Sequence, residues 1–217
     1  MKPNHLYSLL MVAVLATFNL AAVDKPAAPA DKPAAPAGKD DGFVSLFNGK
    51  DLAGWQVSNC KAAVENGNLV ILEGNGLVRT EKLYGDFILE VEWKNRQPEK
   101  FDSGIFFRAV TKKYARWPAK WQINLLQGQE GSLVGHKQGK AVGLAKAGEW
   151  NTLRLTCVGK TAEAQVNGKP AWKVEDIEPA VGFIGIQVEV TAGGQFEFRN
   201  IRIKPITPPQ DEPKAAE

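Results

Sequence analysis

The chain has 217 residues, 44% of them hydrophobic and 24% charged, with 27 basic against 24 acidic side chains and a formal net charge of +3. So small a basic excess, with no dense run of Lys or Arg, gives no electrostatic footing for nucleic acid. Two cysteines and two histidines are too few for a zinc centre built on Cys/His spacing.

Residues 1–22 begin with Lys2 and His5, continue through the apolar run Leu6 to Leu20 and end on Ala21 and Ala22. The run is short for a stable membrane span and fits a cleaved secretory signal. Export to the periplasm or the cell exterior is therefore expected, with no membrane span left after cleavage. Residues 23–41 carry Asp24-Lys-Pro-Ala-Ala-Pro-Ala twice in succession. Proline and alanine without large apolar side chains cannot bury enough surface to fold, so this segment reads as a linker. The last stretch, 205–217, reads as a disordered tail for the same reason.

Residues 42–204 are left as one two-layered domain. Helix signals are nearly absent, and turn signals recur at short intervals. Strands are predicted at Phe43–Phe47, Trp55–Val57, Ala62–Glu65, Leu69–Leu72 and Leu77–Thr80. From Phe87 the pattern is clear: Phe87, Leu89, Val91 and Trp93 alternate with Glu90, Glu92 and Lys94, the period-two mark of a half-buried strand. The loop holding Pro98 ends it, because proline lacks the amide that a ladder needs. Ile105–Val110 follows as a second strand, read here as the antiparallel neighbour of the first, with Arg108 on the face of Glu90 and Glu92. Further strands are predicted at Trp121–Leu126, Thr152–Val158, Thr161–Val166, Ala171–Val174, Phe183–Val190 and Phe196–Ile203. Asn167-Gly168 is a strong two-residue hairpin signal. In Phe196–Ile203 the apolar parity changes midway, which a bulge near Asn200 explains. About a dozen short strands without helices give a sandwich or jelly roll. Trp55, Trp93 and Trp150 are expected in the core. Cys157 alternates with Leu153 and Leu155 and reads as buried filler; the sequence leaves open whether it pairs with Cys60.

Several strings resemble one family in the same order along the chain. They are Gly42-Phe-Val-Ser-Leu-Phe-Asn-Gly-Lys-Asp-Leu-Ala-Gly-Trp55, Asp86-Phe-Ile-Leu-Glu-Val-Glu-Trp93, Asp102-Ser-Gly-Ile-Phe-Phe-Arg108, Gly148-Glu-Trp-Asn-Thr152, Val166-Asn-Gly168, Gly185-Ile-Gln187 and Phe196-Glu-Phe-Arg-Asn-Ile-Arg-Ile203. The family is the DUF1080 or 3-keto-disaccharide hydrolase domain. The resemblance implies a concanavalin A-like jelly roll, and an exported protein that cleaves or rearranges 3-keto-glycosides. It also exposes departures. Members usually carry Glu-x-Gln-x-Leu-Asp where this chain has Gln122-Ile-Asn-Leu-Leu-Gln127, so both acids are amides here. After Gly185-Ile-Gln187, many members have Asp-His-Gly or Ser-Glu-Gly, and this chain has Val188-Glu189-Val190.

With the family in view, the polar strand face supplies the candidate site. Glu92 or Glu189 is the expected base, Arg108 the group that orients a hydroxyl or keto oxygen, and Gln122, Asn124 and Gln187 the amides that bind sugar hydroxyls. His136, in the Gly-rich loop 131–139, is a further catalytic candidate, and Trp117 a stacking platform for a pyranose ring. Glu90 and Glu92, about 7 Å apart along one strand, have a spacing used by the paired acids of glycoside hydrolysis. The bland alternative is a solvated face with cross-strand ion pairs. No cofactor is expected, and a divalent metal stays open. The expected partner is a saccharide. Three functions fit: a 3-keto-glycoside-cleaving enzyme, a non-catalytic carbohydrate-binding module, and a surface adhesion domain on a spacer.

Overall fold

The computed structural model describes residues 41–111, 117–119, 121–192 and 195–212. The expected signal and nearly all of the expected linker lie outside the described residues. Thirteen strands follow one another among those described: β1 (Val44–Ser45), β2 (Trp55–Glu65), β3 (Asn68–Thr80), β4 (Lys82–Leu83), β5 (Phe87–Asn95), β6 (Gly104–Ala109), β7 (Gln122–Asn124), β8 (Asn151–Val158), β9 (Thr161–Val166), β10 (Lys169–Val174), β11 (Phe183–Glu189), β12 (Phe196–Pro205) and β13 (Gln210–Asp211). A single 3₁₀ turn, Val190–Ala192, follows β11.

Eleven of the strands form one antiparallel sheet in the order β10-β9-β8-β5-β12-β3-β11-β6-β7, with β1 added to β12 and β2 to β3. The sheet folds back on itself. Its apolar parity runs through every long strand: Phe87, Leu89, Val91 and Trp93 on β5, Leu153, Leu155 and Cys157 on β8, and Ile184, Ile186 and Val188 on β11 all join one buried cluster. Trp172 of β10 closes the two ends by donating its indole N–H to the Gly131 carbonyl at 2.8 Å. Burying one face of a sheet against another part of itself is what a jelly roll does to escape exposed edges.

Local sequence sets the turns. Asn66-Gly67 and Asn167-Gly168 both have positive φ at both positions, the conformation a two-residue hairpin needs to match strand twist. The parity change in β12 is a bulge: the pairing with β5 shifts between Arg199 and Arg202, and Asn200 takes a φ of 49°. Cys60 and Cys157 are both free thiols. Burial pushes the Cys157 thiol up to about 11.

Three expectations need correction. First, β5 and β6 are not neighbours, because β12, β3 and β11 lie between them; alternation tells which way a side chain points and says nothing of which strand lies beside it. Second, part of the supposed tail is ordered. Ile206 and Thr207 donate their amides to the Asp86 carbonyl, and β13 pairs with β4. Third, Trp55 and Trp93 are buried, but Trp150 is half-buried beneath the Arg199 guanidinium, 3.9 Å from its ring centre.

Candidate functional site

The outward face of β3, β11, β6 and β7 carries the chemistry. Register places Leu77, Gln187, Gly104 and Asn124 in one row across the four strands, with Arg79, Gly185, Phe106 and Gln122 in the next. Gln122 crosses from its row to the other, donating its side-chain amide to the Gln187 Oε1 at 2.6 Å. Gln187 in turn donates to the Glu189 carboxylate at 2.9 Å. Gly104 makes the crossing possible: a Cβ there would sit 2.0 Å from the Gln122 Nε2. The polarity of this relay follows from Gln122. An amide donates to the Gln187 oxygen, which leaves the Gln187 nitrogen facing Glu189; a carboxylate at 122 could not donate and would turn Gln187 the other way.

Beside this relay lies Asp102, on the loop that leads into β6. Its carboxyl is pushed up to about 6, first by burial and then by the charge of Glu189. A carboxyl held up by burial beside a second acidic side chain is an arrangement that general acid–base chemistry uses. The neighbouring Ser103 hydroxyl donates to the Gln187 carbonyl at 2.8 Å, which ties the loop to β11. Asp102 was not among the residues expected from sequence. Its signal was parity: it stands two residues before Gly104 and so points to the same face.

The same face continues as an apolar patch of Leu77, Phe106, Ala109 and Phe183, against which Trp117 and Leu83 pack. Trp117, the expected stacking platform, is half-buried against this patch. Asn124 is committed locally. Its amide donates to Gln129 and its oxygen accepts from the Leu126 N–H, so it shapes the loop after β7. Gln127 accepts the Lys100 amide at 2.7 Å and does the same for the loop before β6.

The remaining expected residues lie elsewhere, and the pairing of Glu92 with Arg108 is not formed. Glu92 lies on β5 and accepts from the Arg199 guanidinium at 2.7 Å and from Asn200 at 2.6 Å. Glu90 beside it binds Arg154 and Arg202. These two acids belong to a cross-strand ion-pair network on β5, β8 and β12. Arg108 is fully buried and takes a φ of 42°. It donates to the Gly85 and Gly159 carbonyls and to Asp86 at 2.9, 2.6 and 2.7 Å, so it locks three chain segments and has no free face for a ligand. His136 stands next to Trp121, with ring centres 6.3 Å apart, and accepts the Gln138 amide at its Nδ1; neither contact brings it to the relay. Among the described residues no group of three or more His, Cys, Asp and Glu is arranged to hold a metal ion, and no helix is long and apolar enough to cross a membrane.

Comparison with solved structures recovers the fold. A glycosyl-hydrolase candidate from Parabacteroides distasonis superposes with a TM-score of 0.63 at 22% identity, covering 76% of this chain and 99% of its own. The carbohydrate-binding module CBM66 from Bacillus subtilis gives 0.52 at 13% identity, over 70% of this chain and 95% of its own. The β-glucanase of Bacillus licheniformis gives 0.53 at 15% identity, over 78% and 100%. The architecture is therefore the concanavalin A-like jelly roll. Comparison with curated proteins finds no match. Residues 42–204 match the family described as the 3-keto-alpha-glucoside-1,2-lyase-like domain, a span that takes in every strand from β1 to β11 and all but the last residue of β12, and the chain belongs to that family.

Proposed function

We propose that this domain cleaves a 3-keto-glycoside by elimination on the outward face of β3, β11, β6 and β7. The observation that carries the reading is the coupling of Asp102, held up near 6, to Glu189, itself fixed by the Gln122–Gln187 relay. A ketone at C3 acidifies the C2 proton. Glu189 takes that proton, and the electron pair is delocalised onto the keto oxygen. As the pair returns, the C1–O bond breaks and a C1=C2 double bond forms. Asp102, protonated in the range below about 6, gives its proton to the departing glycosidic oxygen. Gln122 has a second amide hydrogen for the keto oxygen, and Trp117 offers a face for the ring.

The amide at 122 is compatible with this assignment of roles. The family's usual acid at position 122 would compete with Glu189 for the Gln187 N–H; here the negative charge lies on β11, with Asp102 as its partner. Export to the periplasm or exterior is part of the same proposal, because extracellular oxidised saccharides are the substrates it fits. A second reading, a non-catalytic carbohydrate-binding module, is favoured by the same amides and by the likeness to CBM66. The test is turnover of a 3-keto-disaccharide, followed by release of the free sugar and by the absorbance of the enone. Activity that disappears in Glu189→Gln and in Asp102→Asn, with folding unchanged, supports elimination. Binding without turnover in the parent protein would leave the module reading.

A further inference from the structure

Arg79 is a buried cation with one guanidinium nitrogen left without an acceptor. It lies on β3 next to the row of Gln187, opposite Gly185, with only 9% of its surface exposed. Its guanidinium sits 5.0 Å from the centre of the Phe183 ring. One nitrogen, Nη2, binds the Glu212 carboxylate at 2.8 Å. The other, Nη1, is buried and has no acceptor. Four residues earlier on the same face, the Asn75 Oδ1 is also buried without a donor. Buried polar groups are nearly always satisfied, so two such atoms on one strand, on either side of Leu77, mark a place prepared for something the chain does not supply.

Glu212 indicates what that is. Arg prefers a carboxylate in a two-pronged grip, and Glu212 provides one prong. It arrives on the end of β13, whose pairing with β4 amounts to Gln210 with Leu83 and Asp211 with Lys82. A carboxylate on so short a tether reaches one nitrogen and leaves the other idle.

We infer that Arg79 is a carboxylate subsite for an acidic saccharide, a uronate-bearing sugar, and that Glu212 is its internal stand-in. The inference rests on the saccharide reading above and extends it to a substrate class. Arg79 lies four residues along the ladder from the Glu189 row, roughly 13 Å, so the uronate it holds is one ring removed from the ring at the bond cleaved by Asp102 and Glu189. The uronate binds both Nη groups of Arg79 and displaces Glu212, and the neighbouring ring, at the Glu189 row that Asn75 shares, donates a hydroxyl to the Asn75 Oδ1. Phe183 beneath the guanidinium keeps it flat and desolvated, which favours an anion over a neutral hydroxyl.

The experiment is an NMR titration of the full chain and of Glu212→Gln with D-glucuronate, D-galacturonate, D-glucose and D-galactose. The uronates are expected to bind the parent protein more tightly than the neutral sugars. In Glu212→Gln, uronate affinity is expected to rise about tenfold, the weight of one charge-assisted hydrogen bond, with neutral-sugar affinity unchanged. Arg79→Gln is expected to remove the preference for uronates. If neutral sugars bind and uronates bind no better in either protein, the subsite is overturned while the saccharide reading stands. If none of the four binds either protein, the saccharide reading falls and the subsite with it. An equal gain for all four in Glu212→Gln overturns the subsite, because the tail would then be a general cover.

Discussion

Gln122 reaches over the bare Cα of Gly104 to donate its amide to Gln187 at 2.6 Å, so one missing methyl group decides whether the site's hydrogen-bond relay exists. Gly104→Ala is expected to fold, since this glycine is not among the residues with positive φ and the obstructing atoms belong to a flexible side chain. Stability should fall by about 1 kcal/mol, the usual cost of forcing one side chain aside. Turnover and sugar binding should fall far more than stability does. Urea titration alongside a binding assay checks the split.

The direction of the relay is itself testable. Gln122→Glu removes the donor and forces Gln187 to turn its amide, which then sets an oxygen against Glu189. That substitution is expected to cost about 1–3 kcal/mol, the penalty of an unsatisfied buried polar group. Adding Glu189→Gln should recover most of the loss, because residue 189 then donates to the turned oxygen. The double-mutant cycle should therefore show a favourable coupling between positions 122 and 189, measured by thermal or urea unfolding.

Asp102 gives a pH signature. Its value in the folded protein, about 6, stands above the ordinary 3.8. Between these two values the folded chain holds a proton that the unfolded chain has released, so stability is greatest below the lower value and declines as pH rises towards the upper one. Asp102→Asn removes the burdened carboxyl. Its urea midpoint is expected to exceed that of the parent protein at pH 7.5 and to converge with it near pH 4. A parent curve that rises across this window would show that Asp102 is not held neutral.

Arg108 and Glu92 should separate stability from function. Arg108→Met strips a fully buried cation from Asp86 and two carbonyls, and the loss is expected to be about 3 kcal/mol, as for other buried pairs broken on one side. Glu92→Gln loosens a partly exposed pair with Arg199. It is expected to cost about 1 kcal/mol and to leave turnover unchanged. A large fall in turnover for Glu92→Gln would return catalysis to the layer that holds β5.

Much of this was legible locally. The alternation of β5 named its inward residues, Phe87 to Trp93, because side chains on a strand point to opposite faces by geometry alone. The Asn-Gly turns and the bulge at Asn200 were readable because positive φ restricts which residues can occupy them. Glu189, Gln187 and Gln122 were found by the same parity and do converge. Arg108 was misplaced by that rule. Its side chain turns inward to two glycine carbonyls and Asp86 from a residue with positive φ, and a local departure of this kind breaks the alternation on which the reading relied.

What the sequence determined alone was which way the side chains of regular strands face and where the chain must turn, since both are fixed by contacts a few residues long. What only the tertiary structure decided was which faces share a neighbourhood. Three strands from distant parts of the chain come between β5 and β6, so Glu92 and Arg108 parted company, and Asp102 and Glu189 came together. Strand order is chosen by the burial of one continuous core, a property of the whole chain that no local window contains.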